Sequence, residues 1–489
     1  MGSTPTFGTI FNVPRSFILI KRLVKKYGKL IFFIIFLFIL FLLPTPRLKL
    51  LDGVTGLPLE GYEIKIPLTA YILGPFVGVS QYFWHFTDFR FQTLSWLIWI
   101  VILYLLFNLK RKINISERLK RLFKVIISFI LVCLFIFLVP LPKYSLRPEN
   151  PEEILIDLHS HTTYSHETTA TPEQNIRWHL ARGFDAWAIT DHPRTLEGAR
   201  RAKEIAKEKY PQAVIITGQE IKCYQRKQGQ NFLLLGIDEV VDPRDYGRKI
   251  AQITNLVHKK YRGAVIVPHW WRKKSHTLEE LSNSGVDGFE IYTARVLGPE
   301  ESIREAIKDV CQKNNLVMLG SSNWHGEGSA SHIWTSIHIE NWPNLNNREK
   351  EKAIVEALRN RKVDLFRVIV YDRTEPQNRA RYFFEPFVGA FYYFSSLNGF
   401  QLLSWIIWSI IFYLLLCLIR IKPVVFNLIV IGVALLLFSK GITFLNLWVR
   451  YLEYNEILFP LGNILLFSGA FLLIAGILPL VQLKVKSNK

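Results

Sequence analysis

The chain has 489 residues, half of them hydrophobic, and carries 60 Lys and Arg against 40 Asp and Glu, a formal net charge of +20. That length leaves room for more than one domain, and so apolar a composition with so few acidic residues implies that part of the chain lies outside water. The basic excess gathers in short segments beside apolar runs, which argues for membrane topology and makes nucleic acid the less favoured partner.

Nearly uncharged runs lie at 30–43, 94–109, 125–141, 402–419, 424–438 and 457–480. With flanking apolar residues most reach the roughly 17 to 25 residues of a spanning helix, so about six transmembrane helices are expected. Pro44 and Pro46 cut the first run short and the fifth fades into Lys440, so for these two a buried helix of a soluble protein is the alternative. A cleaved signal peptide is a poor reading of the first run. It lies far from the N-terminus, and Pro44, Thr45 and Pro46 do not resemble a small-residue cleavage site.

Lys and Arg in short loops mark the cytoplasmic side. Arg15, Lys21, Arg22, Lys25, Lys26 and Lys29 precede the first run, and Lys110, Arg111, Lys112, Arg118, Lys120, Arg121 and Lys124 lie between the second and third. Arg420 and Lys422 join the fourth and fifth, and Lys484, Lys486 and Lys489 end the chain. With six spans all of these fall on one side. The expected arrangement is a multi-pass cell-membrane protein with cytoplasmic termini: a membrane module at 1–148, an extracytoplasmic soluble domain at 149–375, and a second membrane module at 376–489. Of four cysteines only Cys223 and Cys311 fall in the soluble domain, where an external location would permit a disulfide without their spacing demanding one.

The two modules repeat. FQTLSWLIWIVILYLLFNLKRK from Phe91 matches FQLLSWIIWSIIFYLLLCLIRIK from Phe400, each preceded by PFVG, at Pro75 and at Pro386. Trp96, Trp99, Trp405 and Trp408 read as interfacial or packing residues, and the PFVG segments as lying in the headgroup plane. The plainer reading is an anchor without a pocket of its own. The spans show no chain of acidic or histidine residues for an ion or proton path.

The soluble stretch carries the chemistry. His159 and His161 alternate at the end of the apolar run Ile154, Leu155, Ile156, so a period of two sends both imidazoles to one side of a strand's C-terminal end. Asp191 and His192 end a second short run, Ala186 to Thr190, and a helix-like segment lies between the two. Strand, helix, strand with ligands at the strand ends is an α/β active-site layout. Further strand-like runs at 213–217, 264–268, 287–292 and 315–320 alternate with helix-like ones, after those at 153–158 and 186–190. No Ser-His-Asp arrangement, P-loop or nicotinamide fingerprint competes.

The ordered motifs HSH with YSH after it, TDH, GQE, PHW and NWH, over roughly residues 153–340, resemble the polymerase and histidinol phosphatase (PHP) family. The helix segment TPEQNIRWHLARGFD and the later DGFEIYT are most similar to its branch of carbaryl hydrolase and TrpH-type phosphoesterases. The resemblance implies an α/β fold, a distorted (β/α)7 barrel with up to three metals at the C-terminal strand ends. Carried over by motif, His159 and His161 hold one metal, Glu220 bridges it to a second held also by His269, and His166, His192 and His325 hold a third. Asn323 stands at a ligand position where Asp is usual, and His166 where many members have Asp. Asn231 offers an amide where relatives often place a His, so two divalent ions are as consistent as three. The ligand chemistry suits Zn, Mn or Fe.

The implied reaction is a metal-dependent phosphoester hydrolysis by an activated water. Asp191 and Arg272 are the candidate catalytic residues: Asp191, like Asp157, by orienting imidazoles, and Arg272, with Lys273 and Lys274, by meeting a substrate phosphate, although a solvated charge run explains the three basic residues as well. A phosphomonoester or phosphodiester near the bilayer, lipid-linked or envelope-derived, fits the anchoring; nuclease action and carboxyl or carbamate ester hydrolysis are open within the family. From another class, Asn323 and Asn231 admit a non-catalytic sensor or scaffold for a phosphorylated ligand. His179, His258, His276 and His332 fall outside the motifs and read as structural.

Overall fold

The computed structural model describes the chain apart from residues 1–14, 44–49, 86–88, 109–113, 140, 193, 226–227, 273, 295–300, 327–331, 372–378, 419–422 and 488–489. Pro44, Pro46, Lys110, Arg111, Lys112, Lys273, Arg420, Lys422 and Lys489, all used above, lie outside the described residues.

Strands in chain order are β1 (Leu50–Asp52), β2 (Tyr62–Lys65), β3 (Ser145–Pro148), β4 (Glu153–Ser160), β5 (Ala186–Ile189), β6 (Val214–Gln225), β7 (Gln228–Leu235), β8 (Ala264–Val267), β9 (Gly288–Thr293), β10 (Val317–Ser321), β11 (Ile333–His338) and β12 (Phe366–Tyr371). Ten form one sheet in the order β1-β12-β11-β4-β5-β6-β7-β8-β9-β10, while β2 and β3 pair separately. The strands β4, β5 and β6 run parallel, as do β8, β9 and β10. Between these blocks β7 is antiparallel to both neighbours, forming a long hairpin with β6. The sheet curls into a half-barrel. Its far end returns to β11 through Gly320, whose N–H donates to Thr335 Oγ1 at 2.8 Å, and to β4 through a bridge between Ser160 and Trp324. This mixed α/β architecture is consistent with a PHP barrel.

The six runs read as strands are β4, β5, β6, β8, β9 and β10. They are continuous apolar stretches because both faces are covered: Ile154, Ile156 and Leu158 pack on one side of β4 and Leu155 on the other. The sequence reading missed β7, β11 and β12, and it assigned the segment around β1 to the membrane module. That segment belongs to the hydrolase sheet, because β1 pairs with β12 and Leu50, Leu59, Tyr62 and Ile64 pack on the core around Trp187. Cys223 and Cys311 are buried free thiols.

Between β4 and β5 the helix Pro172–Arg182 starts with a capping box, Thr171 and Gln174 satisfying each other's backbone N–H groups with proline at the first position. It ends at Gly183, left-handed with φ 87°. A Cβ there would also lie 2.1 Å from Leu146 O, so only glycine lets this turn seat against β3.

Each expected apolar run is helical: Arg15–Leu42, Phe89–Asn108, Ile115–Leu138, Gly399–Leu418, Pro423–Arg450 and Leu458–Ser487. Among the described residues three spans are long and apolar enough to cross a membrane, Phe91–Asn108, Asn427–Arg450 and Leu458–Leu478. A fourth is available if Tyr382–Ser395 and Gly399–Leu415, bent by 116°, count as one broken span. The fifth run does not fade at Lys440: its helix continues to Arg450.

The repeats meet reciprocally. Trp99 Nε1 and Ser95 Oγ of the first copy donate to Phe383 O of the second, at 2.7 and 2.9 Å. Trp408 Nε1 and Ser404 Oγ of the second donate to Ile72 O of the first, at 2.7 and 3.5 Å. Both carbonyls lie three residues before a PFVG proline, one residue past the carbonyl that the proline's missing N–H deprives of its helical donor. The four bonds from the Ser-Trp pairs join the two repeats. These tryptophans are therefore packing residues at the joint.

Replacing Gly183 by Val should destabilise the protein by on the order of 2 kcal/mol or more, from the left-handed backbone plus the clash with Leu146 O. Thermal unfolding in detergent would check this; a melting temperature equal to the parent's would show that the turn relaxes freely.

Candidate metal centre

The imidazoles of His159 and His161, at the end of β4, are fully buried side by side, with ring centroids 5.1 Å apart. Glu220, in mid β6, reaches the same point, its Oε2 lying 3.4 Å from His159 Nε2, 3.3 Å from His161 Nε2 and 3.6 Å from His192 Nε2. Its Oε1 lies 3.7 Å from His269 Nε2 and accepts from Asn231 Nδ2. Asn231, across the hairpin on β7, thus orients the carboxylate.

Three groupings of potential ligand atoms result: His159, Glu220 and His269; His161, His192 and His325; and His166, Glu167 and His192. The motif carry-over distributed these residues differently. His159 groups with His269 rather than with His161, because the curl of the sheet brings the end of β8 beside β4. The triad assigned to a third metal divides, with His325 beside His161 and His166 beside Glu167. Glu167, whose Oε1 lies 3.2 Å from His325 Nε2, was not singled out, because one more acidic residue in a polar loop carries no local signal.

The turns that present the last ligands are strained. His269 and Asn323 hold positive φ, 30° and 47°, which non-glycine residues seldom adopt. Between Asn323 and His325, Trp324 stacks on Trp178 at 4.7 Å and anchors the NWH turn in the core.

Carboxylates behind the ligands set their orientation. Glu290, on β9, accepts at 2.8 Å from His159 Nδ1, from Ser321 Oγ and, at 3.1 Å, from the His269 N–H. It lies within the DGFEIYT segment, yet its link to a histidine 131 positions away has no expression in local pattern. Asp157 and Asp191 lie deeper than expected. Asp157 receives His179 Nε2 at 3.0 Å and the N–H groups of His159 and Ser322, so it fixes the backbone of the HSH strand and touches no ligand imidazole. His179, read as a helix histidine without a function, is the buried brace of that carboxylate, its other nitrogen meeting Asn175 O. Asp191 turns its oxygens to Thr162 and Ser165 instead of into the cavity, and reaches His161 only through Ser165 Oγ, 3.3 Å from Nδ1. Asp191 is therefore placed as a positioning group. Burial pushes its carboxyl up to about 6 against the hydrogen bonds from Thr162 and Ser165.

The electrostatics point to a cation. Burial opposes charge on His159, but Glu290 and Glu220 on its two nitrogens outweigh it and raise the imidazole to about 10. Burial likewise disfavours the charge on Glu220, yet His159, His161 and His269 hold it well below the usual carboxylate range. His161, fully buried beside His159 and His192, is pushed down to about 3 and is neutral, the form that offers a lone pair. Among the described residues, buried His269 Nδ1, Asn231 Oδ1 and Asn323 Oδ1 have no hydrogen-bond partner, and His161 Nε2 and His325 Nε2 form no hydrogen bond of good geometry, although Glu220 and Glu167 lie 3.3 and 3.2 Å away. Buried polar atoms seldom stay unsatisfied. Orphaned imidazole nitrogens around a buried carboxylate fit divalent cations with mixed N and O ligands.

The cavity, of about 520 Å³, is lined by His166, His192, Glu220 and His269 and carries a basic rim that includes Arg194, Arg248 and Arg272. Arg272 is exposed at its edge, whereas Lys274 sits over the Trp270 ring at 5.8 Å and is not part of the lining.

Residues 157–316 match the sequence model of the PHP domain. A two-domain protein from Bacteroides vulgatus containing a predicted PHP-like metal-dependent phosphoesterase is similar over 48% of this chain and 69% of its own, at 17% identity and TM-score 0.35. A candidate metal-dependent phosphoesterase from Bifidobacterium adolescentis shares 17% identity over 35% of this chain and 88% of its own, TM-score 0.28. An amidohydrolase from Chromobacterium violaceum shares 14% over 40% and 99%, TM-score 0.31. No curated protein matches the chain by sequence. Residues 157–316 thus resemble a PHP domain in sequence, and His159, His161, His166, His192, Glu220 and His269 fall within that match.

Glu290→Gln keeps the shape but removes the charge behind His159 and should weaken metal binding 10- to 100-fold, as loss of such supporting carboxylates does. Metal titration followed by elemental analysis measures it, and an unchanged affinity would mean that His159 needs no carboxylate behind it.

Proposed function

We propose that the protein is a membrane-bound phosphoesterase that hydrolyses a phosphomonoester or phosphodiester presented at the bilayer surface, lipid-linked or derived from the envelope. The observation that carries this reading is the meeting of the ligand groupings with a basic rim in one cavity. His159, Glu220 and His269 would hold one ion and His161, His192 and His325 another, with Asn323 within the same set of unsatisfied donors. Such ions supply Lewis acidity that acidifies water and neutralises phosphate oxygens.

The remaining work falls to the chain. Arg272 and Arg248 present guanidinium groups that match phosphate oxygens in geometry and charge. Glu290 and Asn231 keep His159 and Glu220 aimed at the cavity. Asp191, through Ser165, holds His161 in place.

The six-span topology with the PHP domain outside is supported by which segments touch that domain. The β1 segment, between the first two helices, pairs with its sheet, and the loop after Arg450, between the last two, contacts its 163–168 loop. In a six-span count these lie on one side and the basic segments on the other. A substrate held near the bilayer fits the same contacts: the Glu456 N–H, two residues before the helix Leu458–Ser487, donates to His166 O at 3.0 Å.

Detergent-purified protein should hydrolyse chromogenic phosphomonoesters or phosphodiesters with added manganese or zinc. Chelator should abolish turnover, and His161→Ala should lower it by at least about 100-fold. Metal-loaded protein inactive on both chromogens but active on a carboxyl ester would overturn the phosphoester assignment.

A further inference from the structure

The segment between Thr163 and Thr168 carries His166 and Glu167 to the cavity lining, and part of its hold comes from outside its own domain. Its outer face is covered by the loop joining the last two membrane helices. Asn455, 2% exposed, donates through Nδ2 to Ser165 O at 2.8 Å and Thr168 O at 2.7 Å, with Thr163 O at 3.5 Å. The Oδ1 of the same side chain accepts from the N–H groups of Ile457 and Leu458, at 3.2 and 3.0 Å, and caps the final helix. The next two N–H groups, of Glu456 and Ile457, donate to His166 O at 3.0 and 3.3 Å. Tyr164 is gripped between the rings of Tyr451 and Tyr454, at 5.1 and 5.0 Å.

One side chain therefore spends its acceptor on the membrane hairpin and its donors on the loop that presents two potential ligands. A buried amide so fully bonded fixes both partners, since breaking it would leave several buried carbonyls unsatisfied. Within its own domain the loop is tied by the Thr163 N–H to Ala170 O at 2.7 Å, the Ser165 N–H to Thr162 O at 2.8 Å, the Thr169 N–H to His325 O at 3.0 Å, and Ser165 Oγ to Asp191 Oδ1 at 2.9 Å. None of these bonds is made by His166 itself.

We infer that Asn455 is a positioning residue for the His166, Glu167 and His192 grouping, so that the last membrane hairpin completes a cation subsite of the hydrolase domain. The inference rests on the metal-dependent reading above. It makes the hairpin a working part of the centre, and gives the membrane module a role that a plain anchor would not have.

Two substitutions separate clamp from cap. Asn455→Asp keeps an acceptor for Ile457 and Leu458 but loses the donors to Ser165 and Thr168; Asn455→Ala loses both. Full-length protein in detergent is titrated with manganese, with bound metal counted by elemental analysis, and melting is measured on the metal-free form. His166→Ala identifies the class of sites to which this grouping contributes, and Leu452→Ala, on the exposed side of the same loop, serves as control.

Both Asn455 variants should weaken the class that His166→Ala removes, by roughly 10- to 100-fold, leaving the other class and the control unchanged. Unchanged manganese affinity in Asn455→Asp, whatever happens to its melting temperature, overturns the inference. So does an equal weakening of every class. Should Asn455→Ala fail to fold, Asn455→Asp decides alone. Parent protein that binds no manganese removes the metal-dependent reading itself, and the inference with it.

Discussion

A carboxylate buried in the middle of a barrel must be compensated, and Glu220 lies within 3.7 Å of the imidazoles of His159, His161, His192 and His269. Burying such a charge without partners would cost several kcal/mol, so its presence dictates what surrounds it. A proton on His159, between Glu220 and Glu290, is one way to supply the compensating positive charge, and a divalent cation held by the unprotonated imidazole would be the other. Burial keeps the neighbouring His161 towards its neutral form, which offers a lone pair to such a cation.

The scaffold meets that demand by spending conformational energy at the rim. His269 and Asn323 adopt left-handed backbone conformations at the ends of β8 and β10, and the stack of Trp324 on Trp178 holds the second of these turns in the core. Strain of this kind persists only where packing over-determines it. The long hairpin of β6 and β7 has the same logic: Asn231 can reach Glu220 only because β7 lies antiparallel beside it.

The membrane part is built on a related constraint. Each PFVG segment carries a proline, and the Ser-Trp start of the other copy donates to the carbonyl three residues before it. Reciprocal bonds of this kind explain why two copies exist where one helix would anchor: each completes the other. The hydrolase sheet is tied into this assembly from both ends of the chain, by β1 and by the loop holding Asn455.

Much of this was legible in the chain itself. Alternation along Ile154 to His161 placed two imidazoles on one face, apolar runs of strand length marked the parallel strands, and longer nearly uncharged runs marked helices. These features are local, and side-chain periodicity encodes local faces directly. The distribution of ligands was not legible in this way. Glu290 on His159, Asn231 on Glu220, His179 beneath Asp157 and Asn455 against the His166 loop join residues that only the curled sheet and the returning membrane hairpin bring together. The sequence by itself determined which residues can bind a cation and which segments can leave water, because residue chemistry and short-range pattern suffice for both. Which potential ligand sits beside which, and that the loop between the last two apolar helices packs on the segment carrying His166, was decided by tertiary structure, because those contacts depend on strand order and closure rather than on spacing along the chain.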